Sequence, residues 1–198
     1  MPPMPPVTQA LLLINVAVFC IDYFMGPLFG RLFALWPIGG GFLPWQVVTY
    51  AFMHGSLMHI FFNMFGLWMF GSELERVWGG KRYLQFYFAS LLAAAAMQLL
   101  VTMLLGSPYP TVGASGALFG LLLAFGMMFP NRRIMLIFPP IPMKAKTFVI
   151  VFGGLELFFG VTGTQQGVAH FAHLGGMLGG YLMIRYWRGQ PPFGSRRR

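Results

Sequence analysis

The chain has 198 residues, of which 57% are hydrophobic and only 9% charged, and its mean hydropathy is +0.69. A soluble domain carries about 25% charged residues, so the composition excludes an ordinary globular domain and describes an integral membrane protein. The formal charge of +9 is no argument for nucleic acid as a partner. The basic residues sit in short groups between apolar runs, as in loops that face the cytoplasm.

Met1-Pro-Pro-Met-Pro-Pro6 lacks the basic n-region of a cleavable signal peptide, and no small-residue cleavage site follows the first apolar run. Six segments meet or approach the roughly 20 mainly apolar residues of a membrane-crossing helix: about 8–25, 52–71, 83–105, 112–129, 147–163 and 167–187. Gly106-Ser-Pro-Tyr-Pro110 breaks the third from the fourth, since two prolines end a helix and force a turn. The fifth and sixth divide around Gly160 to Gly167. The runs are too long and too uniformly apolar for barrel strands, which alternate. The fold class expected is an all-α membrane protein. It is one six-helix domain over 1–190, followed by a short basic cytoplasmic tail over 191–198 that anionic lipid attracts. The lone Cys20 excludes an internal disulfide and is expected to pack as a small apolar residue.

Charge sets the orientation. Arg31 lies in the first loop, and the other twelve of the thirteen basic residues fall in the second loop, the fourth loop and the C-terminal segment. With six spans these share one side, which the positive-inside rule makes cytoplasmic, together with both termini. Spans two, four and six then run from outside to inside, and each carries its polar residues in its first part. At about 1.5 Å per residue, Ser115 lies roughly 5 Å below the start of span four and His173 roughly 9 Å below the start of span six. His54 and His59 lie roughly 3 and 11 Å into span two, with Asn63 one turn deeper. Polar residues at membrane depth face the bundle interior or a water-filled cavity, so three helices aim hydroxyl, imidazole and amide groups at one level. His59 and Asn63, four apart, share a helix face, as do His170 and His173. Gly116 and Gly120 on span four, and Gly176 and Gly180 on span six, are spaced to let two backbones approach closely.

A serine becomes a nucleophile when a base takes its proton, and histidine is the commonest such base. Acyl transfer also needs donors for the developing oxyanion. The start of span four supplies backbone N–H groups without internal partners, and His59 and Asn63 add side-chain donors. No carboxylate reads as well placed: Asp22 is near the outer end of span one, Glu156 within span five, and Glu73 and Glu75 near the inner end of span two. A serine–histidine dyad is therefore expected rather than a triad. Ala117 departs from the GxSxG pattern of soluble hydrolases.

With these residues the chain resembles the rhomboid intramembrane serine proteases over nearly its whole length, as the six-helix form. The carrying motifs are Gly113-Ala-Ser115-Gly116, Ala172-His173-Leu-Gly-Gly176 with Gly180, and His54-Gly-Ser-Leu-Met-His59-Ile-Phe-Phe-Asn63. The resemblance implies Ser115 as nucleophile, His173 as general base, and His59, Asn63 and the Ser115 N–H as the oxyanion hole. His54 and Gly113 would support the site, Glu75 would be the bracing acid with Glu73 its competitor, and His170 is the lesser candidate for the base. Two positions depart. Trp45-Gln46 stands where the family often has Trp-Arg, so the arginine's role in shaping the first loop is lost or relocated. Phe119 replaces a frequent tyrosine; it can stack on the imidazole but cannot donate a hydrogen bond. The implied substrate is a transmembrane segment entering laterally from lipid and unwinding near its outer end. The fifth span, with Phe152-Gly-Gly154 and Phe158-Phe-Gly160, is the candidate gate. The first loop, with its glycines and aromatics between Phe29 and Trp45, is expected partly in the interface. No cofactor and no metal are expected, and the localisation implied is a bacterial inner membrane with the site opening outward.

Rival readings are a small transporter, a metal or haem binder using the four histidines, and an inactive relative that binds membrane segments. Transporters place polar sites at the midplane of broken, repeated helices, whereas these groups lie off-centre and no inverted repeat is evident. Against a metal site, neither cysteine nor carboxylate accompanies the histidines in sequence. Against an inactive relative, both Ser115 and His173 are present.

Overall fold

A computed structural model describes residues 3–135, 140–163 and 169–193. Its helices form six columns. The first is α1 (Pro6–Met25), followed by the short α2 (Pro27–Phe33) and, across a loop, α3 (Gln46–Thr49) with a 3₁₀ turn over Tyr50–Phe52. The second column is unbroken from Leu57 to Trp78: α4 (Leu57–Gly66), a π-helical turn (Leu67–Gly71) and α5 (Ser72–Trp78). Then come α6 (Gly80–Leu105), α7 (Ser115–Met128), α8 (Ala145–Thr162) and α9 (His170–Trp187). Among them α1, α6 and α8 are long and apolar enough to cross a membrane, in keeping with an integral membrane protein.

The bundle is apolar outside, and its apolar core encloses many polar groups. Thr8, Asn15, Gln46, Asn63, Glu75, Ser90, Thr102, His170 and His173 are all buried, whereas Leu13, Phe24, Leu104, Ile150 and Val161 are exposed. Lipid is as apolar as these side chains, so the hydrophobic effect does not draw the helices together. Close contact between backbones must do it. The sequence provides for this where α6, α7 and α9 meet. A β-carbon on Gly116 or Gly120 would strike Ala94 or Ser90 of α6. One on Gly175 or Gly179 of α9 would strike Ala93 of α6, and one on Gly180 would strike Phe86.

Among the described residues, Arg76, Arg82 and Arg132 gather at one end. Glu73 pairs with Arg76 at 3.2 Å and with Arg132 at 2.8 Å, and the Arg82 guanidinium lies over the Trp187 ring. Glu75 accepts from the N–H groups of Val7 (2.9 Å) and Thr8 (2.7 Å) and from the Thr8 hydroxyl (2.7 Å). First-turn N–H groups lack internal partners and carry the positive end of the helix dipole, so a carboxylate there fixes α1 to the second column.

Four expectations change. Ser115 is the first residue of α7, not the fourth of a helix from 112. Gly113, at φ +120°, holds a backbone turn that keeps the helix from starting earlier. At 14 residues, α7 is roughly 21 Å long, shorter than the roughly 30 Å apolar core. Ser115 therefore opens a short helix. Second, α7 and α8 are joined by a small antiparallel hairpin, β1 (Arg133–Met135) and β2 (Pro142–Lys144), where no sheet was expected. Third, Cys20 is exposed; it lies outside the packed part of α1, whose buried residues are Thr8, Leu11 and Asn15. Fourth, Glu156 reaches the histidines, as described below. The expected start of span six at 167 and the arginines 196–198 lie outside the described residues.

Candidate active site

Ser115 is set by the segment before it. Leu35 and Thr111 exchange two backbone hydrogen bonds of 2.9 Å, and Gly113 donates to the Tyr50 carbonyl at 2.9 Å. Tyr50 is itself buried, and its hydroxyl donates to the Leu91 carbonyl of α6 at 2.9 Å. The first loop is thus pinned to the bundle and in turn pins the turn that delivers the serine. The loop is organised by Gln46, which is fully buried. Its Oε1 accepts from the N–H groups of Trp36 (3.2 Å) and Leu43 (3.1 Å), and its Nε2 donates to the carbonyls of Arg31 (3.2 Å) and Leu32 (3.3 Å). Loop shaping was expected to be lost or relocated with the arginine; the glutamine at the same position performs it.

The Ser115 Oγ and His173 Nε2 stand 2.7 Å apart. The Phe119 ring lies parallel to the His173 imidazole, with centroids 4.4 Å apart and planes 8° from each other. One turn of helix separates Phe119 from Ser115, so α7 supplies both the hydroxyl and the plate that orients its partner. Gly113 makes room for His59: a β-carbon there would come within 2.7 Å of His59 Nε2. The Ser56 hydroxyl accepts the His59 N–H at 3.1 Å and caps α4. His54 is buried with its ring edge-on to His59, 5.0 Å between centroids. Asn63 donates one amide hydrogen to the His59 carbonyl at 2.8 Å.

Two cavities meet at Ser115. One, of about 430 Å³, is apolar and runs between the second column and α8, lined by Phe65, Met69, Phe70, Phe148 and Phe152. The other, of about 630 Å³, is the more polar of the two and is lined by Ser56, His59, Gln98, Tyr109 and His173. Asn63 and Ser115 border both.

Glu75, by contrast, braces α1 and does not border either cavity. Gly176 and Gly180 carry no site chemistry; they let α9 press against Gly116 and Gly120. Glu156 corrects the sequence reading, since its Oε2 is 2.7 Å from His170 Nδ1 and 2.8 Å from His173 Nδ1. A carboxylate does accompany the histidines. Nothing in the span's sequence signals this except that an acid inside an apolar run must face something polar.

The profile of the Rhomboid domain matches residues 42–189. The chain is 31% identical over 139 residues to Rhomboid protease GluP of Bacillus subtilis (strain 168), covering 70% of this chain and 25% of that protein. It is 33% identical over 148 residues to the mitochondrial Rhomboid protein 1 of Saccharomyces cerevisiae (strain ATCC 204508 / S288c), covering 69% and 40%. With Rhomboid protease GlpG of Yersinia pestis (strain Pestoides F) it shares 27% over 187 residues, covering 92% and 62%. In each case the match spans less than two thirds of the relative's length.

Proposed function

The chain belongs to the rhomboid family, and on that premise we propose that it is an intramembrane serine endopeptidase that cuts membrane proteins in or near a transmembrane segment. The observation that carries this reading is the 2.7 Å contact between Ser115 Oγ and His173 Nε2 at the meeting of an apolar and a polar cavity. A peptide bond cannot be hydrolysed in lipid without water, nor can a membrane segment arrive through water. A site that borders both kinds of space meets both needs.

In the proposed reaction His173 Nε2 takes the Ser115 proton as Oγ bonds to the scissile carbonyl carbon. The negative oxygen faces the Ser115 N–H, which has no acceptor within its helix, and the side chains of His59 and Asn63. Asn63 has a second amide hydrogen for this, since its bond to the His59 carbonyl uses one. The imidazolium then protonates the leaving amine as the C–N bond breaks. Water, activated by the same imidazole, hydrolyses the ester and restores Ser115.

The substrate enters laterally through the apolar cavity, past Phe148 and Phe152 of α8, which acts as the gate. Its backbone unwinds at the scissile bond, helped by residues of low helix propensity such as Gly. Six spans over 1–190, cytoplasmic termini and a site opening to the outer side of a bacterial inner membrane complete the proposal. The clustering of Arg76, Arg82 and Arg132 at one end of the bundle supports that orientation.

Labelling of the detergent-solubilised chain by a serine-directed fluorophosphonate tests the reading. Labelling is expected for the native chain and absent in Ser115→Ala, which should still fold but no longer cleave a single-span substrate. Cleavage retained by that variant sinks the assignment.

A further inference from the structure

Glu156 is an ionisable group with no role in the reaction above. It projects from α8, its side chain is only 13% exposed, and its Oε2 touches two imidazoles of α9. The contact to His170 Nδ1 is an aligned hydrogen bond of 2.7 Å. The contact to His173 Nδ1 is as short, at 2.8 Å, but off the axis of a ring N–H, so it forms no aligned hydrogen bond.

These three groups have the composition of a metal site, but their spacing argues otherwise. Zinc bonds of about 2.0–2.1 Å in a tetrahedron hold ligand atoms roughly 3.3 Å apart. Separations of 2.7 and 2.8 Å are too short for that and are those of two imidazoles in direct contact with one carboxylate oxygen.

The tautomer matters. An imidazole can accept the serine proton at Nε2 only if its own hydrogen sits on Nδ1, and the partner of Nδ1 decides that. We propose that Glu156 is the positioning residue of this site. Its carboxylate, in contact with His173 Nδ1 at 2.8 Å, favours the tautomer with its hydrogen on Nδ1, which leaves the Nε2 lone pair free to face Ser115, and it stabilises the imidazolium formed when the serine is deprotonated. His170 anchors the carboxylate from the other side. The inference rests on Ser115 and His173 acting as proposed above, and it turns their dyad into a relay of three side chains from three helices. No other acid competes for the role. His173 is faced by Ser115 and Phe119 from α7, by His59 from α4 across the polar cavity, by Glu156 from α8 and by His170 on its own helix. From α6, Ala93, Ala94 and Met97 meet this part of α9.

The test measures the rate of fluorophosphonate labelling for the chain in detergent, with Glu156→Gln, Ser115→Ala and thermal midpoints alongside. Removing the carboxylate should slow labelling about 10- to 100-fold. With a single-span substrate the same loss should fall on kcat, with KM within about twofold. Glu156→Gln that folds and labels at the native rate overturns the proposal. So does zinc bound to the purified chain with labelling that chelators change. Failure of the underlying reading looks different: the native chain is not labelled, or Ser115→Ala still is. Should Glu156→Gln fail to fold, Glu156→Asp, which keeps the charge but shortens the reach, takes its place with the same limits.

Discussion

Gly176 on α9 lies against the backbone of Gly116 on α7 with no space between them for a side chain; a β-carbon on Gly176 would collide with the Gly116 carbonyl. Ser115 directly precedes the one glycine, and His173 lies one turn before the other. The distance between hydroxyl and imidazole is therefore set by backbone contact rather than by side-chain packing. Gly176→Ala should push α7 and α9 apart. Overpacking of this kind typically costs about 1–3 kcal/mol. The expected result is a lower thermal midpoint in detergent and a loss of labelling at Ser115 that exceeds the loss of folded protein.

Phe119 and His173 stack in parallel at 4.4 Å. An aromatic pair contributes about 0.5–1.5 kcal/mol beyond its buried area, and about 1.4 kcal/mol corresponds to tenfold in rate. Phe119→Ala should lower kcat by up to about tenfold and leave KM nearly unchanged, because the ring orients the base and leaves substrate binding alone. Phe119→Tyr should behave like the native chain. Steady-state kinetics of the two variants with one single-span substrate checks both.

Gln46 serves as acceptor for two backbone N–H groups and donor to two carbonyls in a fully buried position. Gln46→Ala leaves the Trp36 and Leu43 N–H groups without this acceptor, and a buried orphan costs about 1–3 kcal/mol. A lower thermal midpoint and faster proteolysis between residues 34 and 45 should follow. Gln46→Glu keeps the acceptor and should fall between. Since Gln46 does not border Ser115, kcat per folded molecule should stay close to native.

The pairing of Ser115 with His173 was legible because both sit beside small-residue pairs at helix spacing, a local signal that survives without coordinates. The all-helical membrane fold was legible too, because long apolar runs are also a local signal. Glu156 was not. Its neighbours on α8 are apolar in every direction, and which way it faces depends on how α8 leans on α9. Gln46 was unreadable for a related reason: a polar residue in a loop looks solvated, and only the folded loop shows that its own carbonyls and N–H groups surround it. The late start of α7 followed from Gly113 and from the strand-like pairing of Leu35 with Thr111, residues far apart in the chain. The π-helical turn at Leu67–Gly71 also leaves no periodic mark. It rotates α5 relative to α4 and so lets Glu75 face α1 while Asn63 faces Ser115.

Phe148 and Phe152 stack on one face of α8, 4.2 Å between centroids, and form the wall of the apolar cavity opposite the second column. Only Ala145 and Val149 of this helix are buried; beyond them α8 is tied to α9 through Glu156, while its face toward the second column borders the cavity. If a membrane segment must pass this wall to reach Ser115, the ring of Phe152 is an obstacle to entry and contributes nothing to the chemistry. Phe152→Ala should then raise the cleavage rate of a single-span substrate several-fold at subsaturating concentration. Labelling by a small fluorophosphonate, which can arrive through the polar cavity, should change little. The contrast between the two probes is the measurement. Loss of a half-buried ring should also lower the thermal midpoint, by less than the roughly 3–5 kcal/mol that a fully buried Phe→Ala costs. A variant that cleaves no faster, or that gains equally with both probes, would place the route of entry elsewhere than between α8 and the second column.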